Sequence, residues 1–309
     1  MPANCSQIAI YNLTPFPQLC ARLKQAIMII FKKAAALHQH IVSLKQQNKS
    51  IGFVPTMGAL HKGHLSLIDA CKQQCDATVC SIFVNPTQFN DPKDFEKYPV
   101  TIEQDILLLT EKETGILFLP SVQEIYPDGV HHLSHYHLGE IENVLEGKYR
   151  PGHFQGVAQV MDRLLGMVQP DVLFLGRKDY QQCMIINKLI ELKHLPIQLS
   201  IQPTLREEDG LAMSSRNMRL SAAGRKQAVA LYQALLFIKE NALKQSIPSL
   251  AETAKDKLLS AGFERIDYIT IADANTLQEL ENRNQSSNAV VLAAAFLEGV
   301  RLIDNLLLS

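Results

Sequence analysis

The sequence predicts an α/β protein, built as a doubly wound parallel sheet with a smaller C-terminal α+β unit. Three observations predict it. Short apolar runs alternate with longer segments of helical periodicity from Met28 to Gln202. Polar, chemistry-bearing residues follow directly on several of those apolar runs, where a sheet of this class places its ligands. Beyond residue 204 the alternation stops, and helical segments are followed by strand-like ones.

Taken in order, residues 28–31 read as a strand and 34–47 as a helix, with Leu37, Ile41 and Leu44 on one side. Residues 51–54 form a buried-strand pattern, 65–74 a helix and 77–84 the next strand. A helix over 102–112 and a strand over 116–119 follow. The segment 153–168 is helical, with Val157, Val160, Leu164 and Val168 aligned. Strands at 171–175 and 198–202 flank a helix over 181–189. Residues 206–217 are polar and read as a loop. Helices over 222–242 and 249–261 come next, then strands over 265–271 and 289–296. We place the main domain at 28–203 and the smaller one at 204–309. Residues 1–27 carry breakers such as Pro2, Pro15 and Pro17 and no clear periodicity. They are expected to be a disordered extension, or to precede a start at Met28.

A chain of 309 residues, 47% hydrophobic, can bury a substantial core. Its net charge of −1 argues against a broad nucleic-acid or membrane surface. No apolar run approaches the ~20 residues of a membrane span, and no secretory signal is evident. The six cysteines (Cys5, Cys20, Cys71, Cys75, Cys80 and Cys183) are scattered. A cytoplasmic compartment is the expectation. Cys71, Cys75 and Cys80 are read as ordinary thiols, because helix and strand point them apart. The stretch containing His131, His132, His135 and His137 is read as a solvated strand and loop, with a zinc site as the alternative.

Four segments carry chemistry. In the first, an apolar strand runs into Pro55-Thr56-Met57-Gly58-Ala59-Leu60-His61-Lys62-Gly63-His64. Backbone amides where a strand turns into a helix bind anions, and glycine admits close approach. His61 and His64 can donate to phosphate oxygens and, if protonated, stabilise a departing pyrophosphate. The second is Gly176-Arg177-Lys178-Asp179-Tyr180-Gln181-Gln182, where Lys178 suits phosphate, Asp179 ribose hydroxyls, and Gln182 a polar substrate. The third, Met213-Ser214-Ser215-Arg216, sets two hydroxyls beside a guanidinium, which suits a triphosphate. In the fourth, Gln88 follows the strand 77–84 and can point into the same crevice. Taken singly, each segment is also compatible with a solvated loop or turn.

Together the segments resemble the pantoate–beta-alanine ligases, within the larger superfamily of HxGH nucleotidyl transferases. The motifs PTMGALHKGH, FVNPTQF, YRPGHFQGV, GRKDYQQ and REEDGLAMSSRN occur in the family's order. The resemblance implies a Rossmann-like, HUP-type fold. It implies an enzyme that activates the pantoate carboxylate with MgATP as a pantoyl adenylate, releasing pyrophosphate. The amine of β-alanine then displaces AMP to give pantothenate. Magnesium is expected to arrive with ATP, held mainly by phosphates and water, with no protein metal site.

The resemblance also implies residue roles. Met57, Gly58, Ala59, Leu60, His61, Lys62, Gly63 and His64 would line the ATP site, with His64 as proton donor and His61 and Lys178 as its catalytic partners. Gly176, Arg177, Lys178 and Asp179 would hold ribose and phosphate. Leu205 would border adenine, and Met213, Ser214, Ser215 and Arg216 would close over the triphosphate. Gln88 and Gln182 would hold pantoate, Gln88 lying also near β-alanine. A homodimer is implied. Arg177 and Val100 depart from the family's usual residues. A nucleotidyl transferase acting on a phosphorylated substrate, or an RNA-binding module of synthetase ancestry, are the alternatives. The first leaves Gln88 and Gln182 unexplained. The second would tolerate loss of His61, Lys178 or Arg216, all of which are present.

Overall fold

A computed structural model describes residues 28–90, 92–131, 133–282 and 285–308. The extension over 1–27 lies outside the described residues. The elements in order are β1 (Ile29–Phe31), α1 (Ala34–Gln46), β2 (Ile51–Thr56), α2 (Lys62–Gln74), β3 (Ala77–Ile82), α3 (Pro92–Glu96), α4 (Ile102–Glu111) and β4 (Ile116–Phe118). Then come α5 (Val122–Ile125), α6 (Glu146–Tyr149), α7 (His153–Val168), β5 (Val172–Gly176), α8 (Tyr180–Leu192) and β6 (Gln198–Gln202). The C-terminal part holds α9 (Ala222–Gln227), α10 (Val229–Asn241), α11 (Ile247–Ser260), β7 (Arg265–Asp273), β8 (Ala289–Leu297) and β9 (Val300–Leu307).

The first six strands form one parallel sheet in the order β1-β4-β3-β2-β5-β6. The chain winds outward from β2 through β3 to β4, then returns to the other side of β2 for β5 and β6. The strand order therefore reverses between β2 and β5, where a crevice opens at their carboxyl ends. Both faces are covered. Phe53, Val79, Phe118 and Leu173 pack on one side with Leu37 and Ile41 of α1 and with the apolar stripe of α7. Val54, Cys80, Leu117 and Phe174 pack on the other with Leu67, Ile68 and Cys71 of α2. Burial on both faces explains why these strands read as continuous apolar runs.

The second sheet, β7-β8-β9, is antiparallel and packs against α10 and α11 around Leu235, Ile238, Leu250 and Leu258. Strand β9 has no counterpart in the sequence reading. It pairs with β8 through a tight turn at Glu298-Gly299, where both residues take positive φ (51° and 69°). Its centre holds Asp304 and Asn305, residue types depleted in strands, which masks its pattern. The helix expected over 222–242 divides at Ala228. That residue keeps helical angles (φ −57°, ψ −25°), so the axis barely breaks. The strand expected among the His-rich residues does not form. Residues 133–139 have no regular structure, and His135 and His137 are exposed.

Candidate active site

The reversal point between β2 and β5 opens into a crevice of about 200 Å³. Its walls come from all four segments. Met57, His61, Gly63 and His64 follow β2, and Gln88 follows β3. Gly176 ends β5 and Lys178, Asp179 and Gln182 follow it, while Leu205, Met213, Ser214, Ser215 and Arg216 cover the opening.

The start of α2 is built by the two histidines. His61 caps the helix: its Nδ1 accepts from the Gly63 N–H at 3.1 Å, and His64 Nδ1 accepts from the His61 N–H at 3.3 Å. A Cβ on residue 63 would lie 2.9 Å from the His61 ring, so glycine makes the cap sterically possible. With each Nδ1 engaged as an acceptor, the proton of a neutral imidazole must sit on Nε2. Desolvation, then the nearby Lys178 charge, lowers His61 to about 4. Desolvation, then His61 and Lys178, lowers His64 to about 3. Near pH 7 the imidazoles are thus neutral hydrogen-bond donors. The donor role expected of them needs no protonation, and the charged form is disfavoured: a cation there would be stripped of water and repelled by Lys178.

The turn between β2 and α2 separates lining residues from supporting ones. The amides of Ala59 and Leu60 are taken by the buried carboxylate of Asp105, at 3.0 and 2.8 Å. Lys62 is exposed. Gly58, Ala59, Leu60, Lys62 and Arg177 do not line the crevice, unlike the other residues expected at the nucleotide site. The signal for Asp105 was legible: it is an acidic residue on the apolar face of α4, beside Ile102 and Leu109.

On the β5 side, Gln181 and Gln182 diverge. Gln181 is buried and donates to the carbonyls of Ile141 (2.6 Å) and Val144 (2.8 Å), while accepting from the Glu146 amide (3.0 Å). Gln182 turns into the crevice. Lys178 lies 3.8 Å from Asp179, and its side chain is 16% exposed.

Gln88 is held from three directions. Asn85 donates to its Oε1 at 3.2 Å, and its own Nε2 meets Met57 Sδ at 2.8 Å. Its carbonyl receives His153 Nδ1 at 2.8 Å and Arg150 Nη2 at 3.4 Å. Arg150 Nη1 lies 3.1 Å from His153 Nε2. A carbonyl only accepts and a guanidinium only donates, so His153 is the neutral Nδ1–H tautomer. Burial, then the Arg150 charge, lowers its pKa to about 3.

The covering segment is clasped as well. The Ser214 hydroxyl accepts from the Arg216 amide, and Ser215 Oγ lies 3.3 Å from the Tyr98 hydroxyl. Arg216 and Arg219 share the Asp94 carboxylate at 2.9 and 2.7 Å. Asp94, Tyr98, Asn85, Arg150 and His153 were not singled out from sequence, because each also has a partner remote in the chain that only the fold brings near.

A family model described as pantoate-beta-alanine ligase matches residues 29–307. This chain belongs to the pantoate-beta-alanine ligase family. The pantothenate synthetase of Cytophaga hutchinsonii is 42% identical over 284 residues, covering 91% of this chain and 99% of that one. That of Porphyromonas gingivalis is 42% identical, covering 90% and 99%. The crystal structure of pantothenate synthetase from Thermus thermophilus superposes with a TM-score of 0.83 at 38% identity, covering 90% of this chain and 98% of that one. The Francisella tularensis pantoate-beta-alanine ligase, solved with β,γ-ATP and β-alanine, gives a TM-score of 0.77 at 39% identity, covering 91% and 98%. The expected fold class and family are thereby borne out.

Proposed function

We propose that this crevice condenses pantoate with β-alanine at the expense of ATP, through a pantoyl adenylate, with residues 28–203 binding ATP and pantoate and 204–309 acting as a lid. One observation carries the reading: the family's motifs, distant in sequence, line a single crevice at the β2–β5 reversal point. In the first step a pantoate carboxylate oxygen attacks the α-phosphorus, forming a P–O bond as the bond to pyrophosphate breaks. In the second the β-alanine amine attacks the acyl carbon. The C–N bond forms, AMP leaves with the C–O electron pair, and one amine proton is released.

No protein nucleophile is required, so positioning and charge stabilisation supply the catalysis. Gln88 and Gln182 hold pantoate by neutral hydrogen bonds, with Gln88 also near β-alanine. His61 and His64 direct Nε2–H groups at phosphate oxygens, and Lys178 adds the positive charge. Leu205, apolar and 39% exposed, offers a surface for adenine. Ser214, Ser215 and Arg216 donate to the triphosphate, and Met213 anchors that segment.

Magnesium fits as a companion of ATP. Asp179 is the one carboxylate among the described residues lining the crevice, and phosphate-bound Mg²⁺ needs at most one or two. Among the described residues no group of three or more His, Cys, Asp or Glu is placed to hold a metal ion, and no helix is long and apolar enough to cross a membrane. The buried free thiols of Cys71, Cys75, Cys80 and Cys183 support a reducing, cytoplasmic setting. The homodimer rests on family resemblance, and light scattering of the purified protein tests it.

The deciding assay combines protein, ATP, Mg²⁺ and pantoate, with and without β-alanine, and follows AMP and pantothenate. Pantothenate formation dependent on both acids is expected. Absence of AMP with both present would sink the reading.

A further inference from the structure

A second cavity of about 630 Å³ adjoins the crevice and shares Lys178, Asp179, Ser214 and Arg216 with it. It lies between the parallel sheet and the C-terminal sheet, and several guanidinium groups border it. Most of these are neutralised by carboxylates at hydrogen-bond distance. Arg216 and Arg219 share Asp94. Arg301 holds both oxygens of Glu146, at 2.7 Å each, and also reaches Asp267 at 2.8 Å.

Arg150 differs. Its hydrogen bonds go to the neutral ring of His153 and to the Gln88 carbonyl. Among the described residues its nearest carboxylate oxygen is on Glu146, at 3.8 Å, and that oxygen is already engaged by Arg301. The side chain is only 22% exposed. Burial, together with the like charges of Arg216 and Arg301, holds its pKa down at about 10 despite Glu146. Glu146 is thus a distant and shared partner, and among the described residues no carboxylate lies at hydrogen-bond distance from this guanidinium. Its fork geometry suits a carboxylate, and its position is fixed to the backbone of Gln88.

We propose that Arg150 binds the carboxylate of the incoming amino acid and so selects β-alanine among amines. The inference rests on the ligase reading given above. The nucleotide already has Lys178, Ser214, Ser215 and Arg216 for its phosphates, and pantoate's carboxylate must be free to attack. The β-alanine carboxylate is the remaining anion of the reaction. It would stay in the larger cavity, against Arg150, while the amine reaches past Gln88 to the acyl carbon. His153 is a positioning residue: it locks the guanidinium to Gln88 so that amine and acyl carbon align.

The test separates the half-reactions. Wild type, Arg150→Lys and Arg150→Gln are compared in pantoate-dependent ATP–pyrophosphate exchange, in steady-state pantothenate synthesis, and with hydroxylamine, a nucleophile lacking a carboxylate. Losing a charged hydrogen-bond partner is expected to raise the KM for β-alanine about 10- to 100-fold in Arg150→Gln, and less in Arg150→Lys. Arg150 also bonds the Gln88 carbonyl, so exchange, the KM for pantoate and hydroxamate formation are expected to share one small loss, while the larger loss falls on β-alanine alone, the one nucleophile here with a carboxylate. Equal losses with β-alanine and hydroxylamine, or exchange and the pantoate KM impaired as much as the β-alanine KM, would overturn the proposal in favour of a nucleotide or structural role. Should Arg150→Gln fail to fold, Arg150→Lys decides alone: a β-alanine KM unchanged relative to wild type, or raised no more than that for pantoate, overturns it. Failure of the wild type to make pantothenate would instead strike the ligase reading itself.

Discussion

Asn305, at the centre of β9, donates its side-chain amide to the main-chain carbonyl of Lys178 at 2.9 Å, and to that of Arg177 at 3.0 Å. The C-terminal sheet thus grips the loop that carries the crevice's lysine. Next to it, Asp304 is bridged to Arg206 at 2.6 and 2.9 Å, at the root of the covering segment. Both sides of the nucleotide opening are therefore tied to one strand.

Replacing Asn305 by Ala leaves the carbonyls of Arg177 and Lys178 without their donor. Destabilisation of about 1–3 kcal/mol is expected for buried acceptors left unpaired. The KM for ATP should rise about tenfold as the Lys178 loop loosens, since small misplacements of positioned groups cost rate and affinity. Thermal denaturation and ATP-dependent kinetics check this. An unchanged KM for ATP would refute the role of β9 in ordering the loop.

The neutral imidazoles give a pH prediction. With His61 near 4 and His64 near 3, adenylate formation should show no ionisation near the ordinary histidine value of ~6.5. Its rate should stay flat between about pH 5.5 and 7.5 in pyrophosphate-exchange assays. His64→Ala and Lys178→Ala should each lower kcat by at least ~10²-fold, as losing a transition-state donor does. A limb near pH 6.5 that disappears in His64→Ala would contradict the neutral assignment.

Stability should respond to acid for the same reason. The folded pKa values of His61, His64 and His153 lie below the unfolded value, so the unfolded chain binds more protons between them. Their contribution is complete above about pH 6.5 and fades as pH falls from there toward 4. Burial pushes Glu146 up, but Arg301 outweighs it and brings the carboxyl down to about 2, so Glu146 adds a loss only below its ordinary carboxylate range. Urea midpoints at pH 7 and pH 5.5 read the histidine part alone, and a higher midpoint at pH 5.5 would contradict it.

Gly156, in α7, approaches the turn that presents Gln88. A Cβ there would lie 2.3 Å from the Thr87 carbonyl oxygen and 2.9 Å from Gln88 Cα, both backbone atoms. Gly156→Ala must push that turn away. A loss of about 1–3 kcal/mol is expected from overpacking, with a raised KM for pantoate. Wild-type stability and pantoate kinetics in this variant would show that the contact relaxes freely.

Glu146 and Arg301 join α6 to the C-terminal sheet, and Tyr268 donates to the same carboxylate at 2.7 Å. Breaking one side of a buried pair typically removes about 3–5 kcal/mol, whereas replacing both with apolar residues is nearly neutral. Glu146→Leu and Arg301→Met should each lower the denaturation midpoint strongly. The double variant should recover much of the loss. Additive losses would mean the pair is not coupled.

Much of the fold was legible because each segment records its own environment. The strands flanking the crevice are apolar throughout since both faces are covered, and helix periodicity marks α1 and α7. Other features were not. Strand β9 hides behind Asp304 and Asn305, which serve contacts far away in the chain. Gln181 and Gln182 are the same residue type, one position apart on a helix, and only packing decides that one is a brace and the other faces substrate. Asp105 was findable as an acid on an apolar helix face, but its partners, the amides of Ala59 and Leu60, were not.

By itself, the sequence determined the alternating α/β pattern, the strand ends that carry chemistry, and the motifs that place the chain in its family. These are local properties: side-chain periodicity and the short-range order of polar groups after apolar runs. Only the tertiary structure decided that β2 and β5 are neighbours, that the crevice opens between them, that His61 and His64 are neutral Nε2–H donors, and that Arg150 has only a long, shared ion pair with Glu146. Adjacency, desolvation and charge balance depend on which distant segments meet, and no short stretch of chain encodes them alone.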